Sequence, residues 1–366
     1  TAPSWLEQGM SSEIPPEKRA AALNDRLYAA FNDGLELIAI QAGYRFGWYS
    51  ALAQHGPCTA NQLSASTGTG PRFTKEWLRQ QTAAGILDAD ISVSEPTFRL
   101  SPEMAAVLLG ESGTEQNTLA AMLSEVFVDW MQLAVRLVEA WQHDRSGFTD
   151  ADRATLASQQ ARFTELTATD LPGRFAAIPE LADLLPRQPL RVAELGCGGG
   201  FYLDAMATAW PTAELIGYDP DPVALALAAE RLGSNPRVSL RQVDARRVAD
   251  DGPFDLILVV DSLHDMADPA GVLNAARQAL AKGGVIAIAE LPYPSEFSGQ
   301  ADPAERLGYL TSLFNCLHHQ IEQSGAGAVG AVVRESDIKA WRTSAGLPSC
   351  TVHDNDAEAP RLFILR

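Results

Sequence analysis

The sequence predicts a two-part α/β chain, with helices in the N-terminal half and an open parallel sheet with helical crossovers in the C-terminal half. Three observations carry this. Between residues 190 and 291, short β-branched runs alternate with alanine-rich stretches, as in strand–helix–strand units. Residues 113–170 carry a wide apolar helical face and no strand signal. Residues 45–109 read as three short helices and a two-stranded ribbon, which is a winged helix.

Residues 1–23 are polar and proline-containing and read as an N-terminal arm. The winged-helix domain is expected over 24–112. Its first helix is patterned from about Asn24, with Leu27, Phe31, Leu35, Leu37 and Ile38 near a 3.6-residue period. After the turn at Gly56 and Pro57, Thr59 suits an N-cap and Pro71 a first helical position. A helical linker or lid follows over 113–171. Its first helix carries Leu119, Met122, Leu123, Phe127, Trp130 and Leu137; a second is expected over about 153–169. The third domain, 172–366, holds strands near 190–196, 213–219, 238–244, 254–261 and 283–291. Two tail runs, 349–354 and 361–366, read as an antiparallel pair at the sheet edge and bring the count to seven.

Among its 366 residues the chain has 28 Lys and Arg against 46 Asp and Glu, a net charge of −18. Such a balance argues against binding nucleic acid or anionic membranes, which needs excess cations. No apolar run is long enough to span a bilayer, and the first residues lack the pattern of a secretory signal. Cys58, Cys197, Cys316 and Cys350 form no CxxC and no Cys/His spacing, so reduced thiols in a cytoplasmic protein are expected, with no metal. His318 and His319 are adjacent rather than one helical turn apart, so they diverge.

The most informative segment is VAELGCGGG, residues 192–200. A buried strand ends at Glu194, and the chain turns through Gly196, Gly198, Gly199 and Gly200, which permit close approach of a ligand to bare backbone. In open α/β sheets, ligands bind beyond the carboxyl ends of the strands. The next strand ends in Asp219, whose carboxylate can accept from both hydroxyls of a ribose. The third ends in Asp244, which can accept from an adenine amino group. A dinucleotide fingerprint would need glycine at 201, where Phe201 stands, and the triphosphate signature ending in Lys and Ser or Thr is missing.

ELGCGGG followed by GYDPD resembles the first two cofactor motifs of class I S-adenosylmethionine-dependent methyltransferases. The resemblance covers about residues 172–366. It implies a Rossmann-like sheet of seven strands, the last antiparallel, and S-adenosyl-L-methionine as cofactor. It places Glu194, Gly196, Cys197, Gly198 and Gly200 at the methionine portion and sugar, Asp219 and Pro220 at the ribose, and Asp244 and Ala245 at the adenine. Val260 and Asp261 fall beside the cofactor's amino acid portion.

The segment VVDSLHDMADP, 259–269, resembles the HDW-x-D stretch of winged-helix O-methyltransferases acting on phenolic and polyketide substrates. The resemblance implies that His264 deprotonates the acceptor hydroxyl and that Asp265 contacts substrate or cofactor. Met266 replaces the tryptophan, and Asp268 matches the final acid. Histidine has a suitable pKa for a base near neutrality. Substrate-lining candidates are Phe127 and Trp130 in the lid and Tyr309, Cys316 and His318 in the helical stretch 307–325, which equally carries a core-like face of Leu310, Leu313, Phe314 and Leu317.

The winged helix admits two readings. Arg72, Lys75 and Arg79 share a face of the third helix, as in a DNA reader, but residues 26–109 hold 6 Lys and Arg against 7 Asp and Glu, a net −1. The domain order also resembles the phenolic O-methyltransferases and related actinobacterial enzymes, which implies homodimerisation through this domain and closure of a small-molecule pocket. The expected function is therefore O-methylation of an aromatic or natural-product-like molecule. The alternatives are N-, S- or C-methylation with His264 only orienting the acceptor, and a DNA-binding regulator sensing a nucleoside.

Overall fold

In the computed structural model the chain divides into two compact units, one ending at Val135 and the other running on from Arg136. The structure describes residues 16–110, 118–165, 171–297, 299–324, 329–354 and 360–366. The first fifteen residues of the expected arm, the junction at 112–113 and the end of the helix expected to reach 169 lie outside them.

The first unit opens with α1 (Pro16–Arg45). This helix starts inside the segment expected to be an arm, because Pro16 suits the first turn, Glu17 follows it there, and the next residues are strong helix formers. The winged helix comprises α2 (Trp48–His55), β1 (Cys58–Thr59), α3 (Ala60–Thr67), α4 (Pro71–Ala83), β2 (Asp88–Asp90) and β3 (Thr97–Arg99). Its ribbon gains β1 as a third strand, in the order β1-β3-β2. The Thr59 side chain accepts from the Gln62 N–H, and the Gln62 side chain accepts from the Thr59 N–H at 2.8 Å, a reciprocal cap that starts α3. Trp48, Tyr49, Trp77, Leu78 and Phe98 fill the small core. Then come α5 (Pro102–Leu109) and α6 (Leu119–Trp141), within which the two units meet in sequence.

The second unit continues with α7 (Asp150–Glu165) and α8 (Leu171–Ala176) and then alternates: β4 (Arg191–Leu195), α9 (Phe201–Ala209), β5 (Glu214–Tyr218), α10 (Pro222–Leu232), β6 (Val238–Arg241), β7 (Phe254–Val260), α11 (Pro269–Gln278) and β8 (Leu280–Glu290). It closes with α12 (Pro303–Thr311), α13 (Leu317–Ser324), α14 (Glu335–Ser344), β9 (Cys350–His353) and β10 (Arg361–Leu365). The seven strands run in the order β6-β5-β4-β7-β8-β10-β9, with β10 antiparallel to β8 and β9. Alternation in β10 sends Phe363 and Leu365 to the core on one face and Leu362 and Ile364 to the core on the other. β6 is shorter than expected, because Asp244 leaves the ladder to cap the next turn, accepting from Arg246 N–H. Between α12 and α13 the helix widens into a π-turn over Ser312–Cys316, a feature often found where a helix serves a site. Among the described residues, no helix is long and apolar enough to cross a membrane.

Candidate active site

The chain leaves β4 toward β5 and β6, then returns to β7 on β4's other side. The crevice beyond the carboxyl ends of β4 and β7 is therefore the topological switch point, where open α/β sheets bind ligands.

Glu194 stands at the end of β4, 1% exposed, and its Oε2 has no hydrogen-bond partner. Burial, reinforced by the Asp219 charge, pushes its pKa well above the usual carboxyl range. A buried orphan acceptor needs a donor, and a ligand bearing ammonium or hydroxyl groups supplies one. In the loop that follows, the N–H groups of Gly196 and Cys197 donate to the Tyr218 carbonyl, at 2.8 and 3.1 Å. The Gly198 N–H donates to Asp219 Oδ2 at 2.9 Å, and Asp219 Oδ1 accepts from the Asp221 N–H at 2.9 Å. Asp219 therefore ties the end of β5 to the glycine loop while each oxygen keeps a further lone pair. Burial raises its pKa despite these two donors. Pro220 follows it on the surface.

Gly196 has φ +71°, and a Cβ there would lie 2.7 Å from Ser262 Oγ and 3.3 Å from the Met266 methyl. Glycine at this position lets the loop after β7 rest on the loop after β4. Ser262 fastens the contact by donating to the Leu195 carbonyl at 3.0 Å.

The loop after β7 gathers the titratable side chains. Asp261 adopts φ +47°, a strained conformation for a residue other than glycine. Burial, partly offset by the His264 charge, lifts its carboxyl to about 7. His264 is 5% exposed, with Nδ1 2.9 Å from Glu290 Oε2 and Nε2 3.6 Å from Asp265 Oδ2. Burial alone would lower its pKa, but the Asp265 and Glu290 carboxylates outweigh that and hold it well above the ordinary histidine value. Cys316, delivered by the π-turn, sets its thiol against the imidazole; burial pushes that thiol up to about 12.

Glu290 is the member of this cluster that sequence reasoning missed. It ends β8, is 2% exposed, and leaves Oε1 without a partner. Its signal was an acid closing an otherwise apolar strand at the same end of the sheet as Glu194 and Asp261. The metal reading also changes. Spacing along the chain offers no ligand set, yet the fold gathers His264, Asp265 and Cys316, and likewise Asp261, His264 and Glu290, each with ligand-type atoms within 4.8 Å of one another.

Other candidates fall elsewhere. The Cys197 thiol and the Val260 side chain are buried in the core behind the loops, so only their backbones can face a ligand. The Ala245 side chain likewise belongs to the core. Asp244 is engaged by the Arg246 guanidinium at 2.8 and 2.9 Å, a bond that lowers its pKa, and any adenine contact would share it. Asp268 caps α11, accepting from the Gly271 N–H at 2.9 Å. Tyr309 is 40% exposed and accepts from Arg334 at 3.1 Å. His318 is 2% exposed, with the Gly147 N–H 3.0 Å from Nδ1 and the Trp141 indole N–H 3.2 Å from Nε2; the neutral ring accepts from one of the two, which ties α13 to the end of α6 and the loop after it. In the first unit, Phe127 packs on α1, where a Cβ at Gly34 would meet its ring at 3.0 Å; Trp130 is half-buried on the same helix.

With this geometry in place, comparison with known proteins is informative. Residues 193–286 match the methyltransferase domain family, and residues 35–109 match the Rv2258c-like winged HTH domain. The chain thus combines a class I methyltransferase domain with an N-terminal winged-helix domain. It is 35% identical over 134 residues to trans-aconitate 2-methyltransferase of Streptomyces avermitilis, covering 36% of this chain and 48% of the relative. It is 29% identical over 161 residues to ubiquinone biosynthesis O-methyltransferase of Pseudomonas aeruginosa, covering 43% and 64%. The chain spans about half to two thirds of the length of these relatives. An O-methyltransferase family protein from Burkholderia thailandensis shares the fold, with a TM-score of 0.73 at 16% identity over 96% of this chain and 98% of that one.

Proposed function

We propose that the chain methylates a hydroxyl of a small aromatic or natural-product-like molecule, using S-adenosylmethionine, with His264 accepting the hydroxyl proton. The observation that carries this reading is the seating of His264: bonded to Glu290, in a loop resting directly on the glycine loop. When bound, S-adenosylmethionine supplies a sulfonium methyl that passes in line to the acceptor oxygen. The residues present fit it. Glu194 offers an unsatisfied buried oxygen, and Asp219 has lone pairs free for ribose hydroxyls. Glu290 takes the Nδ1–H of His264, which leaves Nε2 as the proton acceptor of the neutral ring. The relatives named for O-methylation agree with an oxygen acceptor.

The sign of the pH dependence follows. A base works only when neutral, and the flanking carboxylates hold His264 protonated to higher pH. The kcat/KM profile should therefore rise with pH, with its midpoint above the ordinary histidine value of about 6.5; that midpoint belongs to the coupled His264–Glu290–Asp261 cluster. The same protonated ring favours a second reading, in which His264 orients a nitrogen, sulfur or carbon acceptor. A flat profile between pH 5 and pH 8 in this range of histidine titration would select that version.

The partner reading rests on α1. Leu27, Tyr28, Phe31 and Leu35 are 57, 78, 67 and 52% exposed, an apolar stripe at helical spacing. It supports a homodimer formed through the N-terminal domain, which we read as a dimerisation element rather than a DNA reader. Light scattering should give twice the chain mass, and Leu27→Glu with Phe31→Glu should give the single-chain mass. The four cysteines are free, which fits a cytoplasmic protein.

A further inference from the structure

The cluster around His264 is short of positive charge. Three carboxyl groups, Asp261, Asp265 and Glu290, surround one imidazole. With Asp265 and Glu290 ionised and the ring neutral, as a base must be, the sum is −2 + 0 = −2; Asp261, its carboxyl lifted to about 7, is left out of that count. Among the described residues no lysine or arginine is bonded to any of the three. Arg361 stands opposite Glu290 in the β8–β10 ladder, yet its guanidinium goes to Asp354 and the Tyr293 carbonyl. Arg334 is taken by Glu305, Tyr309 and the Pro294 carbonyl, and Arg246 by Asp244.

A second observation points to a ligand. Glu290 Oε1, in a side chain 3% exposed, and Asp265 Oδ1 are buried without a hydrogen-bond partner. Unsatisfied, desolvated carboxylate oxygens are costly, and a cation bearing N–H donors removes that cost. Asp265 keeps 40% of its side chain open, so a ligand can reach it.

We propose that the methyl acceptor carries an ammonium group beside its reacting hydroxyl, with the ammonium held by Asp265 against the Glu290 charge and the hydroxyl at His264 Nε2. This rests on the methyltransferase reading. Asp265 Oδ2 and His264 Nε2 are 3.6 Å apart, so the two groups of the acceptor sit within a few bonds of each other. The substrate class is a compact amino alcohol, amino sugar or aminomethylphenol. A polycarboxylate such as trans-aconitate would meet like charge and be rejected.

The test is calorimetry on the full chain saturated with S-adenosylhomocysteine, using three probes of similar shape: 2-(aminomethyl)phenol, 2-ethylphenol and salicylate. The expected order is 2-(aminomethyl)phenol at least tenfold tighter than 2-ethylphenol, with salicylate weakest. In Asp265→Asn the first two should come within about threefold, while S-adenosylhomocysteine still binds and reports an intact fold. Equal or reversed affinities would overturn the proposal, as would no binding of any probe to protein that binds S-adenosylhomocysteine. So would a stoichiometric divalent metal found in the purified protein by mass spectrometry, since it would fill the cluster itself. Failure of S-adenosylhomocysteine to bind is a different result: it removes the underlying reading and the proposal with it.

Discussion

Asp219→Ala is expected to lose S-adenosylhomocysteine affinity by roughly 10²–10⁴-fold, since it deletes hydrogen bonds to a charged group worth about 1.5–3 kcal/mol each. Two effects combine. The carboxylate would accept the ribose hydroxyls, and it also holds the glycine loop through the Gly198 N–H. Without it, the loop after β4 loses its tie to the end of β5 and the clamp loses its acceptors. Asp219→Asn separates the two, because an amide oxygen can still accept from Gly198 N–H but brings no charge. Its affinity should fall between wild type and Asp219→Ala in the same titration.

The second large effect is at His264. His264→Ala should slow turnover by roughly 10²–10⁴-fold, the usual range for loss of a general base. Binding of S-adenosylhomocysteine should stay within about twofold, because Glu194 on β4 and Asp219 just after β5, the two carboxylates proposed for the cofactor, make no bond to the His264 side chain. Glu290→Gln keeps a hydrogen-bond acceptor for Nδ1–H but removes the charge that stabilises the protonated ring. Its pH–rate midpoint should therefore move down toward the ordinary histidine value. That shift separates a positioning role for Glu290 from a merely structural one. An unchanged rate in His264→Ala, measured with any methylated acceptor, would remove His264 from the chemistry.

Local rules made much of this molecule readable in advance. Thr59 and Pro71 mark helix starts through capping chemistry that involves only neighbours in sequence, and both stand where expected. The β-branched runs at β4, β5, β7 and β8 declare buried strands, and the glycines at 196–200 declare the turn at their carboxyl end. Asp219 was legible for the same reason, as the last residue of a strand run.

Less accessible were the features that depend on tertiary assembly. Glu290 meets His264 across 26 positions of chain, because β7 and β8 are neighbours and both end at the site. Cys316 reaches the imidazole through a π-turn, whose extra residue leaves no periodic signature in a run that scores as ordinary helix. His318 lies two residues on and faces a different set of partners, Trp141 and Gly147. The insertion of β10 between β8 and β9 is likewise a matter of long-range pairing. The start of α1 at Pro16 shows the converse, a polar segment whose helix propensity outweighed its lack of an apolar face.

The central claim is that the crevice beyond β4 and β7 binds the adenosyl cofactor. Calorimetric titration of the wild-type chain with S-adenosylhomocysteine tests it most directly. The account predicts one site per chain with micromolar affinity, and no comparable heat with NAD. A folded protein that gives no heat with S-adenosylhomocysteine, or that binds NAD in its place, would contradict it.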